Sequence, residues 1–173
     1  MTITLSAPYS AMTVANYIIY YTKKNNLEMN NLKLQKILYF LQGLYLINKR
    51  ELLFFDAIEK WQYGPVVPEV YHAFKDYRSN SIKSIQPEVI VSGGEDSPAI
   101  EYKVFVEDDI NAYDRDFMDT VVEALSKFSA FQLVDVTHRH SGWLRDERRI
   151  MRGERHIRYT EAELLEDFSV ATE

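Results

Sequence analysis

The sequence predicts an α+β fold, mostly α: a compact helical domain with one small β-hairpin. Three observations carry the prediction. Apolar residues recur at helical spacing through most of the chain, and helix-capping signatures punctuate those runs. Only one segment alternates with the period of a strand and folds back on itself. Apolar residues make up 46% of the 173 residues and aromatics 13%, enough for a core of ordinary size and too much for a disordered chain. The whole chain, 1–173, reads as one domain.

The first helix is expected over Met12 to Lys24. Val14, Tyr17, Ile18 and Tyr21 form one face, Ser10 or Thr13 supplies the N-cap, and Asn25-Asn26 closes it. The next, NNLKLQKILYFLQGLYLINKR, is the strongest. Asn30 or Asn31 caps it; one stripe holds Leu34, Ile37, Leu38, Leu41 and Tyr45, and a second holds Phe40, Leu44 and Ile47. A helix apolar over so much of its circumference belongs at the centre of a fold. Its polar line is narrow: Gln35, Tyr39, Gln42 and Lys49. Buried amides need partners, so Gln35 and Gln42 are expected to bond the backbone of a neighbouring loop.

Leu53 to Tyr63 reads as a short strand or an extended approach to WQYGPVVP, Trp61 to Pro68. Connecting segments usually prefer small polar residues, and this one is apolar and stiff. Gly64 permits backbone angles closed to other residues, while Pro65 and Pro68 fix their own φ and restrict the residues before them. Trp61, Tyr63, Val66 and Val67 cannot all face solvent without forming an adhesive patch. The economical arrangement packs Trp61 and Val67 inward against the Leu34–Tyr45 helix, with Gln35 or Gln42 bonded to loop backbone. That makes the loop as a whole a scaffold rather than a contact surface, with Tyr63 the residue best placed to be an exception.

Pro68 suits the first turn of a helix reaching Tyr77, and Glu69 suits its positive end. The polar stretch Ser79 to Ser84 is a turn. Val89-Ile90-Val91, then SGGEDSPAI, then Tyr102 to Val106 read as the hairpin, with Gly93-Gly94 at its tip. Helix resumes over Asn111 to Phe128, with Phe117, Val121, Val122, Leu125 and Phe128 inward. Ser129-Ala130-Phe131-Gln132 is a capping box opening a helix to about His138, and Thr160-Glu161-Ala162-Glu163 opens the last one.

Composition and motifs exclude much. With no cysteine there is no disulfide, thiolate metal site or cysteine nucleophile. The N-terminal segment lacks the basic and apolar regions of a signal peptide, and no apolar run is long enough for a membrane span. A soluble cytoplasmic protein with no membrane association is expected. No H-E-x-x-H, G-x-S-x-G, P-loop or dinucleotide fingerprint occurs. His72, His138, His140 and His156 show no ligand spacing, and Glu107-Asp108-Asp109 reads as a solvated patch. No catalytic residue, metal site or cofactor is therefore assigned, and the chain is not expected to be an enzyme.

One charge asymmetry stands out: seven arginines against three acids between His138 and Arg158, in a chain of net charge −6. Such a stripe can contact phosphates, or it can pair with acidic helix surfaces. Overall acidity and the interleaved Asp146, Glu147 and Glu154 favour pairing over nucleic acid.

Three segments together resemble a known family. LKLQKILYFLQGLYL, then WQYGPVVPEVYHAFKDY, then FQLVDVTHRHSGW are similar to the Panacea domain of SocA-like antitoxins. The shared pattern is a leucine- and glutamine-bearing second helix, a Tyr-Gly-Pro-Val-Val-Pro loop feeding a helix, and a helix ending in a His with a Trp close behind. It covers roughly residues 13–149 and leaves 150–173, the rest of the Arg-rich segment and the last helix, outside. The resemblance carries Gln35, Gln42, Trp61, Tyr63, Gly64, Pro65, Pro68, His138 and Trp143 as motif residues of structural or interaction role. It implies a bacterial or phage-associated antitoxin whose partner is a cognate toxin. Neutralisation would be by direct binding, or by delivery of the toxin to the ClpXP protease as an adaptor. Neither role needs a catalytic residue. The third alternative, nucleic-acid binding through the Arg139–Arg158 stripe, comes from the charge pattern alone.

Overall fold

The helix with the widest apolar surface becomes the axis of the protein. A computed structural model describes residues 5–169. In chain order its elements are α1 (Ala11–Lys24), α2 (Asn31–Lys49), β1 (Glu59–Trp61), β2 (Gly64–Val66), α3 (Pro68–Phe74), β3 (Glu88–Ser92) and β4 (Ala99–Lys103). There follow α4 (Ala112–Ser126), α5 (Ala130–Arg139), the short α6 (Ser141–Leu144) and α7 (Glu147–Met151), and α8 (Glu161–Ser169). Met1–Thr4, on which the signal-peptide reading partly rests, and residues 170–173 of the C-terminal segment lie outside the described residues. Among the described residues no helix is long and apolar enough to cross a membrane.

α2 packs against α1, α3, α4, α5, α8 and β2. Leu34, Ile37, Leu38 and Leu41 are completely buried, as are the polar Lys36 and the ring of Tyr39. A helix buried on every side needs neighbours on every side, and the rest of the chain supplies them. The caps fall where short polar side chains precede apolar runs. Ser10, Asn30, Asn111 and Ser129 each accept the backbone N–H three residues on, a bond typically worth about 1 kcal/mol. Ser129–Gln132 and Thr160–Glu163 both close their boxes reciprocally.

The strands depart from expectation in two places. The approach to WQYGPVVP is one arm of a second antiparallel hairpin, β1–β2, paired Glu59↔Val66, Lys60↔Pro65 and Trp61↔Gly64. Its free edge is taken by the C-terminal segment, where Lys60 donates to Ile157 O (2.7 Å) and Tyr159 donates to Ile58 O (2.9 Å). In the predicted hairpin, β4 covers Ala99–Lys103 instead of Tyr102–Val106, in register Glu88↔Lys103 through Ser92↔Ala99. The chain leaves the ladder because Phe105 is pulled into the core, its ring meeting Tyr17 and Tyr20 at 6.4 and 6.3 Å. The polar face of this hairpin is tied down through Glu88 to Thr13 and Lys103 to Asp109. Val89, Val91, Ile100 and Tyr102 share the other face and are all exposed.

The segment after Arg149 belongs to the core. Ile157, Tyr159, Leu164 and Phe168 are buried, and the Phe168 ring lies so close to Gly43 that a Cβ there would come within 2.1 Å of it. Only a side chain of no size on α2 lets α8 approach so closely.

Candidate protein-binding site

The β1–β2 hairpin is held from beneath by α2. Gln35 Oε1 accepts the Val67 N–H at 2.9 Å, and Gln35 Nε2 donates to Asn31 Oδ1, whose own amide donates to Tyr71 O. One glutamine thereby links the end of β2 to the backbone of α3. Beside it Lys36 Nζ, completely buried, donates to Pro65 O at 2.9 Å. Burial alone pulls this ammonium down to about 7. Gly64 sits at φ +90° after the turn residues Gln62 and Tyr63, where a hairpin needs left-handed backbone, and a Cβ would lie 2.5 Å from Thr137 Oγ1. Pro68 opens α3 at its first helical position. Gln42 serves a different connection: it accepts from Leu53 and Phe54 N–H and donates to Phe54 O, anchoring the chain before β1.

The His–Trp pair closes the hairpin's side. His138 stacks on Trp143 with centroids 3.9 Å apart and planes 20° from parallel, and Trp143 Nε1 donates to Trp61 O at 2.9 Å. Burial lowers the His138 pKa below the usual imidazole value. Eight of the nine motif residues, all but Gln42, thus converge on one hairpin and its supports.

Trp61 corrects one expectation. Val67 is buried as expected, and so is Val66. The Trp61 ring is only half-buried and packs on α3, edge-on to Tyr71 at 5.0 Å and near His72. The reason is local: Trp61 Nε1 donates to Glu59 Oε2 (2.8 Å) across the same face of β1, and Glu59 is itself held by His156. Burial raises the Glu59 carboxyl pKa, but hydrogen bonds from Trp61 and His156 outweigh it and leave the net shift downward.

On its outer side the hairpin borders a groove of about 650 Å³, between the starts of α2 and α5 and the end of α3. Tyr63 at the turn and Phe131 at the start of α5 flank it, 55% and 64% exposed. Trp61, Val66 and Tyr71 contribute apolar wall, and Lys75 and Arg78 stand on the rim.

The arginine-rich segment is partly engaged in pairing. Arg145 bonds Glu163 and Glu166, and Arg149 bonds Asp146 and Glu154. Asp146 and Glu163 also flank the buried Lys60 at 2.6 and 2.8 Å. Several buried polar residues carry no signal in the sequence, among them Lys36, Lys60, Asp109, Asp114 and Asp167, the last accepting from Tyr39 OH, Ser141 Oγ and Gly142 N–H. Their types signal surface, and only tertiary neighbours bury them. Among the described residues no group of three or more His, Cys, Asp or Glu could hold a metal ion.

Residues 34–144 match the family model described as antitoxin SocA-like, Panacea domain. Over 132 residues the chain is 31% identical to Antitoxin SocA of Caulobacter vibrioides (strain NA1000 / CB15N). The match covers 76% of this chain and 66% of that relative's length. No solved structure matches the chain.

Proposed function

The chain belongs to the SocA-like antitoxin family of the Panacea domain, and we propose that it neutralises a cognate toxin by direct protein–protein binding. The observation that carries this reading is the division of labour in the β1–β2 hairpin. Its base is fixed by Gln35, Lys36 and Trp143, while its turn holds Tyr63 out to solvent. An aromatic on a pre-ordered turn has little conformational entropy left to lose on binding, which is how a small contact gains affinity. The test is co-expression with the product of the reading frame beside this gene, in cells lacking ClpX and ClpP. Direct neutralisation predicts growth rescue in those cells and co-purification of the two proteins. Rescue that needs the protease would replace this mechanism with an adaptor that hands the toxin to ClpXP.

A further inference from the structure

We infer that the groove beside the hairpin turn seats a segment of the partner in which an apolar or aromatic side chain is flanked by carboxylates. The inference deepens the antitoxin reading and rests on it. Two features of the groove select that chemistry. Its wall is mainly apolar and aromatic, and Tyr63 and Phe131 line it while standing largely exposed, so an apolar side chain seated there takes apolar surface out of water. Its lining includes two cations, Lys75 and Arg78, and no acid, in a chain where 26 acids outnumber 20 bases. Neither cation forms a salt bridge with a described residue, whereas Arg145 and Arg149 are both taken up internally. Cations left unpaired around an apolar groove suit a carboxylate-bearing occupant and repel a basic one.

Arg78 adds a third observation. Its backbone sits at φ 53°, ψ −121°, a region other residues seldom enter and glycine enters freely. Arg78 N donates to Lys75 O, closing the turn that follows α3 and setting the guanidinium's base on the groove rim. A side chain kept where a glycine would relieve the backbone points to a use for that side chain. The amino ends of α2 and α5 also border the groove and add to its positive potential. Another exposed apolar surface, the Val89–Tyr102 face of β3–β4, has no comparable charge pattern in its four residues, and it serves as the control.

The experiment places a photo-crosslinking phenylalanine analogue at Tyr63, Phe131 or, as control, Tyr102, and co-expresses each with the neighbouring-frame product. Crosslinks from Tyr63 and Phe131 are expected to map to one carboxylate-bearing segment, with none from Tyr102. Arg78→Glu is expected to weaken the complex about tenfold and to reduce its salt dependence. Arg78→Gly, which relieves the backbone and removes the charge, should melt no lower than the parent and still bind less well. If rescue and co-purification persist unchanged in Arg78→Glu and Phe131→Asp, or crosslinks come from Tyr102 alone, the groove is not the seat, though the antitoxin reading stands. If the neighbouring product is not neutralised at all, that reading fails. The groove is then judged by a fluorescein-labelled peptide carrying Trp and Leu between glutamates: binding lost in Arg78→Glu supports it, and no binding overturns it.

Discussion

Lys36→Met should raise stability at neutral pH and flatten its pH dependence. Lys36 is completely buried, and its Nζ donates to a carbonyl, Pro65 O, rather than to a carboxylate. Burial moves its pKa from 10.5 down to about 7. Between those values the unfolded chain holds a proton that the folded chain has released, so stability rises with pH across the window. Each unit is worth about 1.4 kcal/mol, and at pH 7.5 the folded protein forgoes on the order of 4 kcal/mol relative to the alkaline side. Methionine fills similar space without this penalty, but it leaves the Pro65 carbonyl unpaired, a loss of about 1–3 kcal/mol. The net expectation is a gain of about 1–3 kcal/mol at pH 7.5, read as about 2–4 °C of melting temperature per kcal/mol. Urea unfolding from pH 7.5 to 9.5 should also lose about 1.4 kcal/mol per unit of slope in the variant. The window stops below 10 because Tyr9, Tyr39 and Tyr45, raised chiefly by burial, begin to withdraw stability above it. A destabilised variant with the parent's slope would refute the reasoning and show Lys36 to be charged and fully compensated in place.

Three further predictions concern the hairpin and the arginines. Gly64→Val meets both a φ of +90° and Thr137 Oγ1, and should destabilise the protein by about 1–3 kcal/mol or more in thermal melts. Trp61→Ala, removing a half-buried ring, should fall below the 3–5 kcal/mol of a fully buried one; a larger loss would mean the ring carries core packing. Nucleic-acid binding at physiological salt should be weak, since Arg149 is already paired. Tight, salt-sensitive binding that disappears in the combined Arg148→Ala, Arg149→Ala, Arg152→Ala variant would establish the phosphate reading instead.

Local chemistry decided much of this protein in advance. The mostly helical α+β class, the caps at Ser129 and Thr160, the central place of α2 and the left-handed backbone at Gly64 follow from patterns that act over a few residues. Spacing, a hydroxyl before an apolar run, or a glycine between turn and proline is sufficient for each. The glutamines were also legible as loop anchors, because a buried amide must find backbone somewhere. Contact across the chain decided the rest. Nothing local to Lys36 shows that it lies beneath Pro65, 29 positions on. The strand character of Glu59–Trp61 depends on pairing with residues 64–66 and 157–159, since three residues carry too little pattern to declare a strand. Phe105 looked like a strand residue until the pull of Tyr17 and Tyr20 ended the ladder before it. The division of WQYGPVVP into a buried base and an exposed turn lies beyond local pattern for the same reason. Val66 and Tyr63 are both apolar enough to bury, and only the geometry of a hairpin seated on α2 decides which of them meets water.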